Sequence, residues 1–254
     1  MSKYVVELKS LNKTYIVKEN NNDTIKEMLL NIFKSNGKRK IKALKNINIS
    51  IKKGEFVGVI GHNGSGKSTL LNVIIGSVPP DKKSTVNVNG KLLRLTLGMG
   101  FDKNLTAREN IYINGAMLGL SFKQIGESFS EIIEFAELEE FVETKIKFYS
   151  KGMRSRLAFA IAIKSNAEIL LLDEFFGGVG DVNFRKKSDA VFKSEFIKSK
   201  TILLVSHSAP LIAKHCKRTI LLDKGELKFD GDTKEALKLY NKIMDNKMNK
   251  APAK

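Results

Sequence analysis

The sequence has no tryptophan, one cysteine, one glutamine and four prolines in 254 residues. With Cys216 alone, no disulfide forms within the chain, and a metal site built from several thiolates is excluded. Acid is also scarce: 27 Asp and Glu stand against 44 Lys and Arg, a net charge of +17. That excess suits an anionic partner (nucleic acid, an anionic membrane surface or a phosphorylated ligand) without choosing among them. No apolar run approaches the ~20 residues of a membrane-crossing helix. Glu7 interrupts the short apolar stretch Val5-Val6-Glu7-Leu8, so no signal-peptide core is expected at the start. Any work at a membrane is therefore expected to go through a partner in the lipid. What is present is ordinary for a globular chain: 42% hydrophobic residues and 28% charged ones, enough for a sizeable core.

The chain reads as a single domain, 1–254, of α/β class. Two short strands are predicted at Val5–Leu8 and Lys13–Val17. A polar break at 18–23 follows, and then a helix from Thr24 to about Ser35. Thr24 and Glu27 have capping-box spacing there, and Ile25, Met28, Leu29, Ile32 and Phe33 recur at helical spacing. With the basic run Lys38-Arg39-Lys40, residues 18–40 read as an amphipathic insertion between strands. Ile47, Ile49 and Ile51 then alternate with polar residues. Phe56–Ile60 is a continuous apolar run of the kind buried in a parallel sheet. Residues ~100–165 read as a helical region, and the strand pattern returns at Ile169–Leu172, Thr201–Val205 and a hairpin around Lys224-Gly225. The last helix is expected to end near Met244, with a flexible basic tail over ~245–254.

Directly after the buried run comes Gly61-His62-Asn63-Gly64-Ser65-Gly66-Lys67-Ser68-Thr69. A G-x-x-x-x-G-K-S segment between a strand and a helix is a phosphate-binding loop. Its glycines let backbone N–H groups turn inward, its lysine reaches the β and γ oxygens of a nucleotide, and its serine can ligand Mg²⁺. The start of the following helix adds positive potential. A metal there needs an acid. Asp173 closes the strand Ile169–Leu172, at the carboxyl end where a parallel sheet binds ligands, and Glu174 adjoins it. Adjacent carboxylates can divide the work, Asp173 holding Mg²⁺ through water and Glu174 polarising the attacking water. His207, after the strand Thr201–Val205, is placed to meet a γ-phosphate.

Tyr149-Ser150-Lys151-Gly152-Met153-Arg154 precedes the carboxylate strand by about 20 residues. It resembles the signature segment of ATP-binding cassette (ABC) ATPases. With the phosphate loop, Asp173-Glu174, Gly180-Asp181 and His207, the elements stand in that family's order over nearly the whole chain. Within the family the likeness is to the ATPase subunits of polysaccharide exporters for O-antigen, capsule or teichoic acid. The Tyr-Ser-x-Gly-Met signature, the segment Gly98-Met99-Gly100-Phe101 ahead of Leu105-Thr106, the run Val179-Gly180-Asp181 and the insertion after Tyr15 carry it.

The resemblance implies a phosphate-loop cassette core with a mixed β-sheet, an N-terminal antiparallel β subdomain and a helical signature subdomain. It implies ATP and Mg²⁺ as ligands and Tyr15 stacked on adenine. It also implies an ATP-dependent homodimer in which Ser150, Lys151, Gly152 and Met153 meet the other copy's γ-phosphate and Gly180 and Asp181 form a dimer-contact loop. The chain would sit at the cytoplasmic face of the membrane, bound to an integral membrane permease, with the inserted helix at the boundary where the glycan lipid enters.

Three departures stand out. Lys151 replaces the first glycine of the usual signature pair. The glutamine of the loop between core and helical region is missing, since Gln124 lies about 20 residues too late, and Asp102 is a candidate replacement. Ser208 stands where an acid often follows the histidine. The rival reading is a soluble ATPase of this fold acting on DNA or the ribosome. Only 89 positions separate Gly61 from Ser150 (150 − 61), too few for the long insertions of DNA-repair members, and translation-factor members carry two cassettes. No nucleic-acid partner is expected.

Overall fold

The computed structural model describes residues 3–18, 38–95, 100–173, 182–191 and 200–248. In chain order, β1 (Tyr4–Lys18) and β2 (Lys38–Lys52) precede β3 (Phe56–Ile60), α1 (Lys67–Ile74), β4 (Thr85–Val88) and β5 (Leu92–Leu95). The helical region holds α2 (Ala107–Met117), α3 (Phe122–Ala136) and α4 (Lys151–Ile163). After it come β6 (Ile169–Asp173), α5 (Val182–Val191), β7 (Thr201–Ser206), α6 (Ala209–His215), β8 (Arg218–Asp223), β9 (Glu226–Asp232) and α7 (Thr233–Met248).

The strands form two sheets. One is antiparallel, ordered β2-β1-β4; the other is six-stranded, ordered β5-β6-β7-β3-β8-β9, parallel except for the β8–β9 hairpin. The central strands β6, β7 and β3 are apolar and buried along nearly their whole length, as strands covered on both faces must be. One core lies between the two sheets and α1, built on Ile47, Ile49, Ile51, Val57, Leu70, Leu171 and Val205. A second lies on the other face of the six-stranded sheet, where Phe159, Phe184, Ile212 and Tyr240 pack. The helical region has its own core around Ile111, Ile125, Ile133 and Leu157.

The first strand departs from expectation. β1 is one strand carrying register shifts rather than two short ones. Its buried residues are Val6, Leu8 and Leu11, and those of β2 are Leu44, Ile47, Ile49 and Ile51. A spacing of three inside an alternating pattern requires an extra residue in the strand. Ser10 (φ 47°) and Asn46 (φ 48°) stand at those positions with left-handed backbone. The opened backbone is bonded across: Ser10 N donates to Asn48 Oδ1 (2.8 Å) and Asn46 N to Asn12 Oδ1 (3.0 Å).

Two further boundaries move. Lys38, Arg39 and Lys40 pair with Lys18, Val17 and Ile16, so the basic run belongs to β2 rather than to the insertion. The expected helix Thr24–Ser35 lies outside the described residues. At the other end, α7 runs to Met248, beyond the expected stop at Met244 and into the segment expected to be a flexible tail. Ile243 and Met244 still pack on the core, and no glycine or proline interrupts the chain before Pro252.

Candidate nucleotide-binding site

The phosphate loop joins β3 to α1. Gly61 is buried, and a Cβ there would lie 2.3 Å from Leu222 O and 2.4 Å from Ser65 Oγ. Gly66 caps α1 at φ 108°, and a Cβ there would come within 2.8 Å of Ala43 O. Any larger residue at either position would push the loop off its neighbours, which are β8 and β2. Lys67 Nζ lies across the loop, donating to Gly61 O (2.6 Å) and His62 O (3.0 Å).

Above the loop opens a cleft of about 870 Å³, lined by Tyr15, Ile41, Lys42, Ala43, Asn63, Gly64, Gly66, Lys67, Ser68, Thr69, Asp173, His207, Lys224 and Gly225. Seven of the ten residues expected to bind ATP thus share one cavity with Asp173 and His207. The other three shape the loop from behind. Gly61 is the close-approach position. Ser65 is fully buried, with its hydroxyl enclosed. His62 turns toward the end of β8, its Nε2 2.6 Å from Asp223 Oδ1, and its Nδ1 meets Asn63 O.

Tyr15 sits at the cleft edge opposite Ile41, its register partner on β2, with the Lys13 ammonium 5.2 Å from the ring centroid. Alternation alone did not disclose Ile41, Lys42 or Ala43, and Lys224 and Gly225 carried no motif. They reach the cleft because β2 and the β8–β9 turn both rest against the loop: Gly225 N donates to Ser65 O (2.9 Å), and Lys45 N donates to Gly225 O (2.8 Å).

Asp173 and Ser68 offer a carboxylate and a hydroxyl to the same cleft, hard oxygen donors of the kind Mg²⁺ takes. Among the described residues no group of three or more His, Cys, Asp or Glu could hold a metal by itself. Mg²⁺ keeps several waters and shares its shell with phosphate oxygens, so one carboxylate and one hydroxyl suit what it asks of a protein. Asp173 has a partner that sequence reasoning missed: Arg94 on β5 forms an ion pair with its Oδ2. Glu174, Gly180 and Asp181 lie outside the described residues.

The signature segment lies elsewhere, at the start of α4. Ser150 caps this helix, its Oγ accepting from Met153 N (3.1 Å), and no acid occupies the first turn. Lys151 is exposed there. Tyr149 anchors the segment: it is buried, its hydroxyl donates to Phe141 O (2.7 Å), and burial pushes its phenol up to about 12. None of Ser150, Lys151, Gly152 or Met153 lines this chain's own cleft. The chain's one glutamine and Asp102, the candidate replacement for the missing one, are both committed locally. Gln124 completes the cap of α3 with Ser121. Asp102 Oδ1 accepts from Asn104 N within its own turn.

A largely parallel sheet with a phosphate loop after an inner strand, a carboxylate ending a neighbouring strand and an attached helical region defines a nucleotide-binding cassette of the phosphate-loop class. The ABC transporter family model matches residues 44–177, more than half of the chain, and the chain belongs to that family. It is 39% identical over 202 residues to the ABC transporter protein AbcA of Aeromonas salmonicida, covering 80% of this chain and 65% of that protein. It is 39% identical over 243 residues to the teichoic acids export ATP-binding protein TagH of Lactiplantibacillus plantarum, covering 95% of this chain and 66% of that one. The O-antigen export system ATP-binding protein RfbB of Klebsiella pneumoniae is 37% identical over 206 residues, 81% of this chain and 83% of that protein. The chain thus spans about two thirds of the length of the AbcA and TagH proteins. Among solved structures, the ATP-binding cassette MJ0796 in a dimeric post-hydrolysis state with ADP and Pi superposes with a TM-score of 0.68 at 27% identity, over 90% of this chain and 98% of that one.

Proposed function

We propose that the chain is the ATP-hydrolysing subunit of an exporter that moves a lipid-linked polysaccharide (O-antigen, capsule or teichoic acid) through a separate membrane permease. The observation that carries the hydrolytic part is the convergence of Lys67, Ser68, Asp173 and His207 on one cleft. The export part is supported by the likeness to TagH and RfbB.

In this reading Tyr15 and Ile41 hold the base, and the loop amides and Lys67 hold the phosphates. Ser68 and Asp173 would hold Mg²⁺, which when bound draws negative charge off the β and γ oxygens. Glu174 accepts the proton of the attacking water, and His207 holds the γ-phosphate. The chain works as a homodimer closed by ATP. Ser150 caps α4 so that the Gly152 amide, with Lys151 beside it, meets the second copy's γ-phosphate. The position of the signature outside its own cleft supports that trans arrangement, as does the dimeric state of MJ0796.

The permease would dock on the helical region. Ile113 and Met117, one turn apart on α2, and Phe122 at the start of α3 are exposed, the last two by 67% and 71%. Among the described residues no helix is long and apolar enough to cross a membrane. We place the chain at the cytoplasmic face, held there by the permease.

The test is export in cells lacking their own copy. Chain and permease together restore surface polymer, and Lys67→Ala does not. Met117→Asp with Phe122→Asp keeps the ATPase of the isolated chain but loses co-purification with the permease. Salt-sensitive retention of DNA in a gel shift, with no membrane protein co-purifying, would overturn the export reading in favour of a nucleic-acid ATPase.

A further inference from the structure

β5 reads Leu92-Leu93-Arg94-Leu95, one charge in an otherwise apolar strand at the sheet's edge. Arg94 is the register partner of Leu171 on parallel β6, so it shares a sheet face with Leu171 and Asp173. Its guanidinium spans two groups on that face. Nη2 pairs with Asp173 Oδ2, and Nη1 donates to Asn72 Oδ1 on the phosphate-loop helix (2.8 Å). Nε is buried, with no hydrogen-bond partner among the described residues. A buried unmatched N–H is costly to the fold, and so is drawing a guanidinium most of the way out of water. A leucine at position 94 would avoid both, and a break in local consistency of this kind points to a task at the site.

We propose that Arg94 keeps Asp173 from taking up a divalent cation until a nucleotide triphosphate lies in the cleft. This rests on the reading of Asp173 as the carboxylate that holds Mg²⁺. With the cleft empty, Asp173 and Arg94 form a neutral pair, so an approaching dication meets one carboxylate already matched by a guanidinium. Arginine is suited to this because it stays charged at every working pH and its fork holds Asp173 and Asn72 together. When the triphosphate arrives, its oxygens bring several negative charges beside Ser68. The cation is then attracted despite Arg94, and it enters with the nucleotide. Arg94 is thus a positioning residue that acts through Asp173. It ties the metal site to the strand from which the chain leaves for the helical region, in a sequence without the usual glutamine on that path.

The test is a Mn²⁺ titration of the nucleotide-free full chain, with free Mn²⁺ read by electron paramagnetic resonance. Wild type is expected to bind weaker than about 1 mM, as one matched carboxylate should. Arg94→Gln keeps hydrogen-bonding capacity without charge and is expected to tighten Mn²⁺ binding at least about tenfold. Arg94→Lys keeps the charge and stays as weak as wild type. Adding Asp173→Asn to Arg94→Gln abolishes the gain.

No gain in a folded Arg94→Gln variant overturns the proposal. So does micromolar Mn²⁺ binding by nucleotide-free wild type or Arg94→Lys, a result that needs no folded glutamine variant. If the gained site survives Asp173→Asn, and that change leaves Mn²⁺-dependent ATP binding intact, the reading of Asp173 itself has failed. If Asp173→Asn weakens Mn²⁺-dependent ATP binding but Arg94→Gln gains nothing, only the role of Arg94 has failed.

Discussion

His62, the second residue of the phosphate loop, lies with Nε2 2.6 Å from Asp223 Oδ1 at the end of β8. One position of the loop that the motif leaves variable is thereby fastened to a strand 161 residues away. Both side chains are mostly shielded from water, 22% and 14% exposed.

This contact holds the loop in shape before nucleotide arrives. Without it, part of the ordering falls on the binding step, about 0.5–1.5 kcal/mol for one side chain. His62→Ala is expected to weaken ATP binding about threefold to tenfold. Asp223→Asn, which keeps a hydrogen-bond acceptor, should cost less. Titration with a fluorescent ATP analogue checks the order, and equal affinity in all three proteins would show that the pair contributes nothing to loop shape.

Glu174→Gln is expected to leave ATP bound but nearly unhydrolysed. A positioned base contributes ~10²–10⁴-fold, while Lys67 and the loop amides still hold the phosphates. Turnover and nucleotide affinity of the purified variant decide the matter. Near-normal turnover would move the proton-accepting role to His207.

Lys151 is exposed at the first turn of α4, outside the chain's own cleft. Lys151→Gly should therefore leave the ATP affinity of the monomer unchanged. It should alter only ATP-driven dimerisation, measured by light scattering in a Glu174→Gln background. A tenfold drop in monomer affinity, ~1.4 kcal/mol, would place Lys151 on its own nucleotide.

Cys216 is buried between α6 and β8, and burial pushes its thiol up to about 12. The neutral thiol is the form the fold accommodates. Its contribution to stability is complete below the unfolded value of ~8.5 and fades as pH climbs toward about 12. At pH 8 the thiolate fraction is on the order of 10⁻⁴. Ellman's reagent should thus label the folded chain at least ~100-fold more slowly than the chain in guanidinium. Rapid labelling of the folded chain would place the thiol at the surface.

How much of this was legible in the sequence follows from distance along the chain. The phosphate loop is nine consecutive residues, and Asp173 and His207 each end an unmistakable apolar strand, so the cleft could be sketched from local pattern. The bulges at Ser10 and Asn46 were also written there, in the three-residue steps Leu8–Leu11 and Leu44–Ile47, though an alternating template passes over them. The pairs Arg94–Asp173 and His62–Asp223 were not legible. Each depends on which strands lie side by side, and the order β5-β6-β7-β3-β8 is set by packing of the whole sheet. Gln124, already too late in the chain to be the missing sensor, is accounted for by the capping box with Ser121.

The turn at Gly225 bears on synthesis as well as on the finished fold. Its backbone bonds to Ser65 and Lys45 couple segments separated by 160 (225 − 65) and 180 (225 − 45) positions, and contacts of that span form late because a long loop must close first. A ribosome releases the phosphate loop early in the chain, yet the surface behind the loop arrives only with β8 and β9. Nascent chains arrested before residue 218 are expected to hold no nucleotide. Chains arrested well beyond residue 232 should begin to, so the pocket matures in one step once β9 has emerged rather than growing with the chain.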